Sequence, residues 1–220
     1  MKWIPIITNE NDWIFISFIA ILGIIAFIKT YHSFRFKEFL NLLTNNKYII
    51  IFNKKERSNT LFTTLLLIVQ WVAMSICIWL IFSFFNINIS IYNIHSEYII
   101  FIGIGLFILL KLAIQFFISY SLNINNFLRS YLFIRLSYSN YASFILLLFL
   151  FLIIYGMKSN IYLVCLSLLI FVFIHILGII SFVKLYKNEI RSYWYYFILY
   201  LCTFEITPYI FINYWITHQY

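Results

Sequence analysis

The sequence predicts an all-α polytopic membrane protein with six transmembrane helices and amphipathic segments at the cytoplasmic surface. Its 220 residues are 64% hydrophobic and only 10% charged, and the mean hydropathy is +0.95. A soluble domain is about half apolar and a quarter charged, so this composition is typical of a membrane protein. Apolar runs of about 16 to 25 residues recur, which is the length that a helix needs to cross ~30 Å of hydrocarbon. Outer-membrane barrels show ten-residue alternation instead, so we exclude that class.

Six apolar runs are predicted to span the membrane within a single membrane domain that covers residues 1–220. They are residues 13–28, 61–85, 98–120, 142–157, 161–183 and 193–216. The start of the chain has neither the basic region nor the cleavage site of a secretory signal, so the first run is expected to be a retained span. Only three residues separate the fourth and fifth runs, which predicts a tight antiparallel hairpin.

The longest polar segment, residues 29–60, is predicted to lie on the membrane surface. Four large apolar side chains repeat there at helical spacing: Phe36, Phe39, Leu40 and Leu43. Charged and amide side chains, Arg35 among them, stand between these four. The pattern predicts an amphipathic helix whose apolar face rests in the headgroup layer. Residues 121–141 show similar periodicity, which predicts a second surface helix before the fourth span.

The distribution of charge predicts the orientation of the chain. Twelve of the fifteen Lys and Arg residues fall in three segments on one side of a six-span chain: 29–60, 121–141 and 184–192. Cytoplasmic loops carry an excess of basic residues, so this side is predicted to face the cytoplasm and both termini the periplasm. The net charge of +8 then reflects topology, and we expect no nucleic-acid partner. The basic side could also hold anionic lipid.

Polar side chains near the middle of four spans are the candidate functional residues. Lys111 is the fourteenth residue of the third predicted span and Glu205 the thirteenth of the sixth. At about 1.5 Å per residue, both lie within a few ångström of the bilayer midplane. A charge at this depth costs roughly 2.5 to 3.5 kcal/mol on insertion scales, a cost that an acid and a base reduce by pairing. Gln70, Gln115 and His175 lie at similar depth and are predicted to support the pair.

Pro208 follows Glu205 by three residues and is predicted to kink the sixth span, because proline cannot donate a hydrogen bond to the carbonyl of Phe204. The predicted Lys111–Glu205 pair has two interpretations. We place first a structural role, in which the pair fixes which helices touch. The other interpretation is a pathway for a proton or a ligand.

Signatures of catalysis and of cofactor binding are missing from the sequence. The four histidines are spread over loops and spans without metal-ligand spacing, and there is neither a nucleophile elbow nor a phosphate-binding glycine loop. The three cysteines fall within apolar runs, where they are expected to act as small buried hydrophobes. We therefore expect no catalytic residue, no metal and no cofactor.

Two stretches of the sequence resemble a known family. They are ILYLCTFEITP at residues 198–208 and WIFISFIAILGIIAFIKTYHSFRFKEFL at residues 13–40. Both are similar to a domain-of-unknown-function family of Bacteroidota inner-membrane proteins, and the similarity extends along nearly the whole chain. The family has no established activity, so the resemblance implies no catalytic residue. Members are often encoded beside a polyprenol-phosphate sugar transferase, which implies work on lipids or glycans of the cell envelope.

These observations predict a non-enzymatic protein of the bacterial inner membrane, a scaffold or accessory subunit of a cell-envelope assembly. Its expected partners are the lipid bilayer and other envelope membrane proteins. The main alternative is a carrier or flippase for a small or lipid-linked substrate, with Lys111 and Glu205 as its midplane site. A third interpretation is an intramembrane enzyme that acts on a lipid-linked substrate.

Overall fold

The structure is a computed structural model that describes residues 12–55, 60–85, 96–121, 125–156 and 161–187. These residues lie in helices or in the turns between them, which confirms the all-α prediction for this part of the chain. The described ranges hold seven α-helices, and a π-helical turn, Leu152–Gly156, extends the sixth. The helices are α1 (Asp12–Tyr31), α2 (Ser33–Leu40), α3 (Lys47–Lys55), α4 (Thr60–Phe84), α5 (Ser96–Ser121), α6 (Asn125–Phe151) and α7 (Ile161–Leu185).

Five of the described helices are long and apolar enough to cross a membrane. The stretches that meet this criterion are Asp12–Tyr31, Leu61–Phe84, Glu97–Ile114, Ser130–Gly156 and Ile161–Leu185. They correspond to the first five predicted spans, and their length and composition indicate a membrane protein. The sixth predicted span, residues 193–216, lies outside the described residues, as do residues 188–192 of the last basic segment.

The fourth span differs from the prediction, which placed a separate surface helix over residues 121–141. The helix α6 is continuous, and its membrane-crossing stretch begins at Ser130. No glycine or proline occurs between residues 125 and 155, so nothing in the backbone ends a helix at Tyr141. The polar residues just before Ala142 are buried by neighbouring helices, and a polar stretch inside a span therefore resembles a surface segment in the sequence.

The helix α4 is the centre of the packing, because α1, α5 and α6 all pack against it. A hydrophobic core forms where α1, α4, α6 and the start of α7 meet. Its buried side chains are Ile14, Phe18, Ile21, Val69, Ala73, Ile76, Cys77, Leu80, Leu146, Leu147, Leu150, Ile153 and Val164. Lipid is as apolar as these side chains, so close van der Waals contact between the helices stabilises the core more than exclusion of water does.

The chain divides into two compact units, Met1–Gly178 and Ile179–Tyr220. The hydrophobic core belongs to the first unit. In the second unit, the Phe182 ring stacks on the Tyr186 ring with 5.1 Å between centroids. The prediction of a single membrane domain over the whole chain stays a prediction.

The contact between α4 and α5 depends on one tryptophan. The indole Nε1 of Trp71 donates a hydrogen bond to the carbonyl oxygen of Phe101 at 2.9 Å, and the two rings lie 4.6 Å apart. One turn further along α5, a Cβ atom placed on Gly105 would come within 2.9 Å of the Trp71 ring. The absence of a side chain at Gly105 therefore makes room for the indole that holds α5 against α4.

Replacing Gly105 by alanine should destabilise the protein. The added methyl group forces the hydrogen-bonded Trp71 ring to move, and overpacking of this kind costs about 1 to 3 kcal/mol. Gly103 on the same helix is the matched control, because a Cβ atom there meets nothing within 4 Å. Gly103→Ala should instead raise stability by about 0.5 to 1 kcal/mol through helix propensity. Unfolding in mixed micelles measures both variants, and equal shifts in one direction would contradict the packing.

Candidate functional site

A hydrogen bond between two spanning helices is the centre of the candidate site. The side chain of Gln70 on α4 donates from Nε2 to Oγ of Ser139 on α6 at 2.8 Å. These are also the two helices that pack most extensively against each other. No water competes for such a bond inside hydrocarbon, so the bond favours one register of the two helices.

The helix α6 carries small polar residues on both sides of this bond. Ser137 Oγ donates to the carbonyl of Phe133 at 2.8 Å, and Ser143 Oγ donates to the carbonyl of Ser139 at 3.0 Å. A serine hydroxyl that donates a hydrogen bond to a carbonyl one turn earlier in its own helix needs no partner on a second helix. All three serines are buried. The polar stretch of α6 is therefore compatible with the interior of a helix bundle.

Asn140 is buried on α6 without a hydrogen-bond partner among the described residues. Its side chain is 2% exposed, and neither Oδ1 nor Nδ2 makes a hydrogen bond there. The Oε1 atom of Gln70 is buried in the same way. A buried, unsatisfied polar group costs roughly 1 to 3 kcal/mol. Gln70, Ser139, Asn140 and Ser143, together called the polar layer, thus retain hydrogen-bonding capacity that the described chain does not use.

The polar layer can bind or position a polar group, but it supplies no acid or base. Its amides and hydroxyls stay neutral across the physiological pH range. Within the described ranges, no three His, Cys, Asp or Glu side chains lie close enough together to hold a metal ion. The chemistry available at this layer is hydrogen bonding between neutral groups.

A buried arginine lies on the neighbouring short helix α2. Arg35 is 6% exposed, and its Cζ atom lies 5.1 Å from the Phe52 ring centroid of α3 and 4.5 Å from the Phe62 ring centroid of α4. A guanidinium is planar and weakly hydrated, so it stacks on aromatic faces better than an ammonium does. Arg35 therefore joins α2, α3 and α4.

Aromatic side chains also join α2 and α3 to α6. The Phe39 ring lies 5.8 Å from Tyr48, 6.0 Å from Phe62 and 5.6 Å from Tyr141. Tyr48 in turn stacks on Phe133 of α6 at 5.8 Å. Phe133 and Tyr141 flank the polar run of α6 in sequence. The rings of α2 and α3 therefore pack against both ends of this polar run.

The apolar face of α2 differs from the prediction. The pattern predicted that all four apolar residues rest in the headgroup layer, but Phe36 and Phe39 are buried against other helices. The helix α2 ends at Leu40, and Leu40 and Leu43 are 39% and 43% exposed. Arg35, which the pattern placed on the polar face, is buried instead. The rings of α3 and α4 give its guanidinium a stacking surface, and a helix of eight residues is too short to carry the apolar repeat to Leu43.

Three of the residues singled out from the sequence have described side chains. Gln70 belongs to the polar layer. Lys111 is half-buried on α5. His175 is half-buried on α7, and its ring lies 4.7 Å from the ring of Phe171, one turn earlier on the same helix.

The other predicted site residues are outside the described part of the chain. Gln115 lies on α5, but its side chain is not among those described. Glu205 and Pro208 both lie beyond residue 187. The pairing of Lys111 with Glu205 and the kink at Pro208 therefore stay predictions.

Sequence reasoning missed Ser139, Asn140 and Arg35. The lack of glycine and proline before Gly156 is the signal that could have placed the first two inside a span. The stacking of Arg35 has no such signal, because its rings come from two other helices that only the fold brings together.

Comparison with known proteins identifies the family. A family model described as a domain of unknown function, DUF4271, matches residues 14–216, and the chain belongs to this family. No curated protein and no solved structure gives a match. The matched region includes the polar layer and the aromatic contacts of α2 and α3.

A double-mutant cycle should reveal the coupling between Gln70 and Ser139. Gln70→Met and Ser139→Ala each remove the bond, so together they should cost less than the sum of the single changes. The expected coupling is about 0.6 to 1.7 kcal/mol, the range found for hydrogen bonds between membrane helices. Ser167→Ala is the control, because Ser167 is buried but donates to Val164 of its own helix. Unfolding in mixed micelles that gives no coupling at Ser139 would contradict the assignment.

Arg35→Lys should destabilise the protein although it keeps the charge. The ammonium cannot stack on Phe52 and Phe62, and its desolvation costs more, so we expect a loss of about 1 to 2 kcal/mol. Lys37→Arg on the exposed side of the same helix is the matched control and should stay within about 0.5 kcal/mol of wild type. Thermal unfolding in detergent compares the two, and an unchanged midpoint for Arg35→Lys would exclude the stacking role.

Proposed function

We propose that this DUF4271 protein is a non-enzymatic protein of the bacterial inner membrane that serves as a scaffold or accessory subunit of a cell-envelope assembly. The hydrogen bond between Gln70 and Ser139 carries the proposal, because a polar side chain inside a span is used there to hold two helices together. A scaffold needs this rigidity. An enzyme or a carrier needs polar groups that remain open to a substrate.

The burial of the polar layer supports this proposal. Asn140 is 2% exposed and Ser143 is fully buried. The groups in this layer are neutral, so they offer a substrate neither charge compensation nor proton transfer. Their most direct use is to select one arrangement of α4, α6 and the covering helices.

The exposed surface of α5 supports the proposal that the protein assembles with a partner in the membrane. Only 6% of the membrane-crossing stretch Glu97–Ile114 is buried. Its large exposed side chains are Tyr98, Ile102, Leu106, Phe107, Leu109, Leu110 and Ile114. Among the described residues, α5 packs mainly against α4 and less extensively against α6, so its exposed side chains are available to lipid or to the helices of a partner.

The inner-membrane location and the periplasmic termini are also part of the proposal. Their support is the clustering of Lys and Arg in three segments that a multi-span chain places on one side. Among the described residues, Lys29 stands in the last turn of α1, and Lys37 and Lys47 follow on α2 and α3. These lysines are consistent with a cytoplasmic end of the first span.

A carrier for a small or lipid-linked substrate is the second candidate. One observation favours it: Lys111 is a half-buried cation inside the membrane-crossing stretch of α5. Ionisable residues at such positions often mark a pathway for an ion or a substrate. In this alternative, Lys111 would bind an anionic group or exchange a proton, with Glu205 as the acid.

The test measures abundance and assembly in the same membranes. Wild type, Gln70→Met, the Gln70→Met/Ser139→Ala double variant and Lys111→Met are expressed at native level in a deletion strain. Native electrophoresis after gentle detergent extraction gives the size of the complex. The scaffold proposal expects wild type in a complex larger than its monomer, and each variant should lose the complex only as far as it loses abundance. A wild-type protein that migrates as a monomer would exclude the scaffold role.

The same experiment distinguishes a carrier from a scaffold. A carrier expects Lys111→Met to accumulate and assemble normally while the strain keeps the phenotype of the deletion. Lys187→Met is the control, because Lys187 is exposed and lies outside the membrane-crossing stretches. Function that follows abundance in every variant favours the scaffold.

A further inference from the structure

The hairpin of α2 and α3 has two faces of different chemistry. The inner face is buried against α4 and α6 by aromatic rings and by Arg35. The outer face repeats one arrangement twice, a lysine and a large apolar residue three positions apart. On α2 these are Phe34, 59% exposed, and the exposed Lys37; on α3 they are Lys47, with 55% of its side chain exposed, and Ile50, 64% exposed. Residues three apart lie on the same side of a helix.

The connection to α1 keeps the hairpin beside the end of a helix that is long and apolar enough to cross a membrane. The spanning helix α1 ends at Tyr31 and α2 begins at Ser33, so a single residue separates them. Backbone hydrogen bonds from His32 to Ile28 and from Phe36 to His32 continue the helical pattern through the junction. The hairpin therefore cannot move far from the end of the span. Leu40 and Leu43, near the tip of the hairpin, are also exposed.

The charge of the outer face is positive. Lys29, Lys37 and Lys47 are exposed. The described acid nearby is Glu38, which is only 13% exposed and lies 3.9 Å from Lys47. A lysine is a long, flexible side chain whose ammonium reaches toward phosphate while its stem lies along apolar surface. An apolar side chain beside each lysine suits the boundary between headgroups and acyl chains.

We propose that the outer face of the α2–α3 hairpin is a binding site for the phosphate headgroups of anionic phospholipids. Lys37 and Lys47 contact phosphate oxygens, and Phe34 and Ile50 enter the acyl boundary beneath them. Apolar side chains that continue from a spanning helix, with basic groups beside them, complement an acidic bilayer surface in both hydrophobicity and charge. The inference goes beyond the scaffold role and rests only on the membrane location of the protein.

The first test measures whether the full-length protein selects anionic over zwitterionic phospholipid. The protein is reconstituted in nanodiscs of equal phosphatidylglycerol and phosphatidylcholine, and native mass spectrometry counts the lipids that remain bound. Lys37→Gln/Lys47→Gln should lower retention of phosphatidylglycerol by about fivefold per lysine removed, with phosphatidylcholine unchanged. Lys187→Gln removes an exposed lysine from outside this face and should retain wild-type selectivity. Unchanged retention in the double variant, or an equal loss in the control, would overturn the proposal.

The second test identifies what covers the outer face. Phe34 is replaced by the photoreactive amino acid benzoylphenylalanine, whose added benzoyl group fits at position 34 because Phe34 is 59% exposed, and the nanodisc sample is irradiated. A phospholipid adduct at position 34 supports the proposal. An adduct with another protein, or no adduct, overturns it. Because neither readout involves assembly, failure here leaves the scaffold proposal standing.

Discussion

Hydrocarbon offers no hydrogen-bond partner to a polar side chain, so other helices must cover the polar stretch of α6. Two kinds of contact cover this stretch. The helix α4 supplies Gln70, which bonds Ser139, and the α2–α3 hairpin supplies aromatic rings that pack on Phe133 and Tyr141. The polar residues can then lie within a membrane-crossing helix. The need to cover the polar stretch of α6 therefore accounts for both the position of the hairpin and the close pairing of α4 with α6.

The magnitudes indicate what holds the hairpin in place. Lys47 and Glu38 approach to 3.9 Å, but the lysine side chain is 55% exposed, and exposed ion pairs contribute about 0 to 1 kcal/mol at most sites. Each aromatic pair contributes about 0.5 to 1.5 kcal/mol beyond the area that it buries. Phe39 alone contacts rings of three other helices, α3, α4 and α6. Ring packing therefore dominates, and the charged side chains of the outer face remain available to the membrane surface.

The described part of the chain separates three chemistries by position. Neutral hydrogen-bonding groups lie inside the bundle, in the polar layer. Basic and apolar groups alternate on the outer face of the hairpin. The apolar helix α5 is mostly exposed and packs against α4 at Trp71 and Gly105. Each of these three chemistries therefore belongs to a different part of the described chain.

The sequence by itself determined the all-α class of the described chain and its five long apolar helices, although not where the fourth of them begins. A spanning helix satisfies its own backbone and needs only length and apolar composition, and both can be read along the chain. It also identified Gln70 as a polar residue at depth, because a strongly polar side chain in an apolar run is visible without knowing its neighbours. The identity of Gln70's partner, Ser139, was not visible, since 69 residues separate the two.

Only the tertiary structure decided which polar residues face inward. Arg35 is buried because the rings of Phe52 and Phe62, which come from two other helices, pack against it. Asn140 lies inside a span although its neighbours in sequence resemble a surface segment. The periodicity of apolar residues indicates the apolar and polar sides of a single helix, whereas burial depends on which other helices pack against it. That difference is the physical reason why the spans followed from the sequence and the polar layer did not.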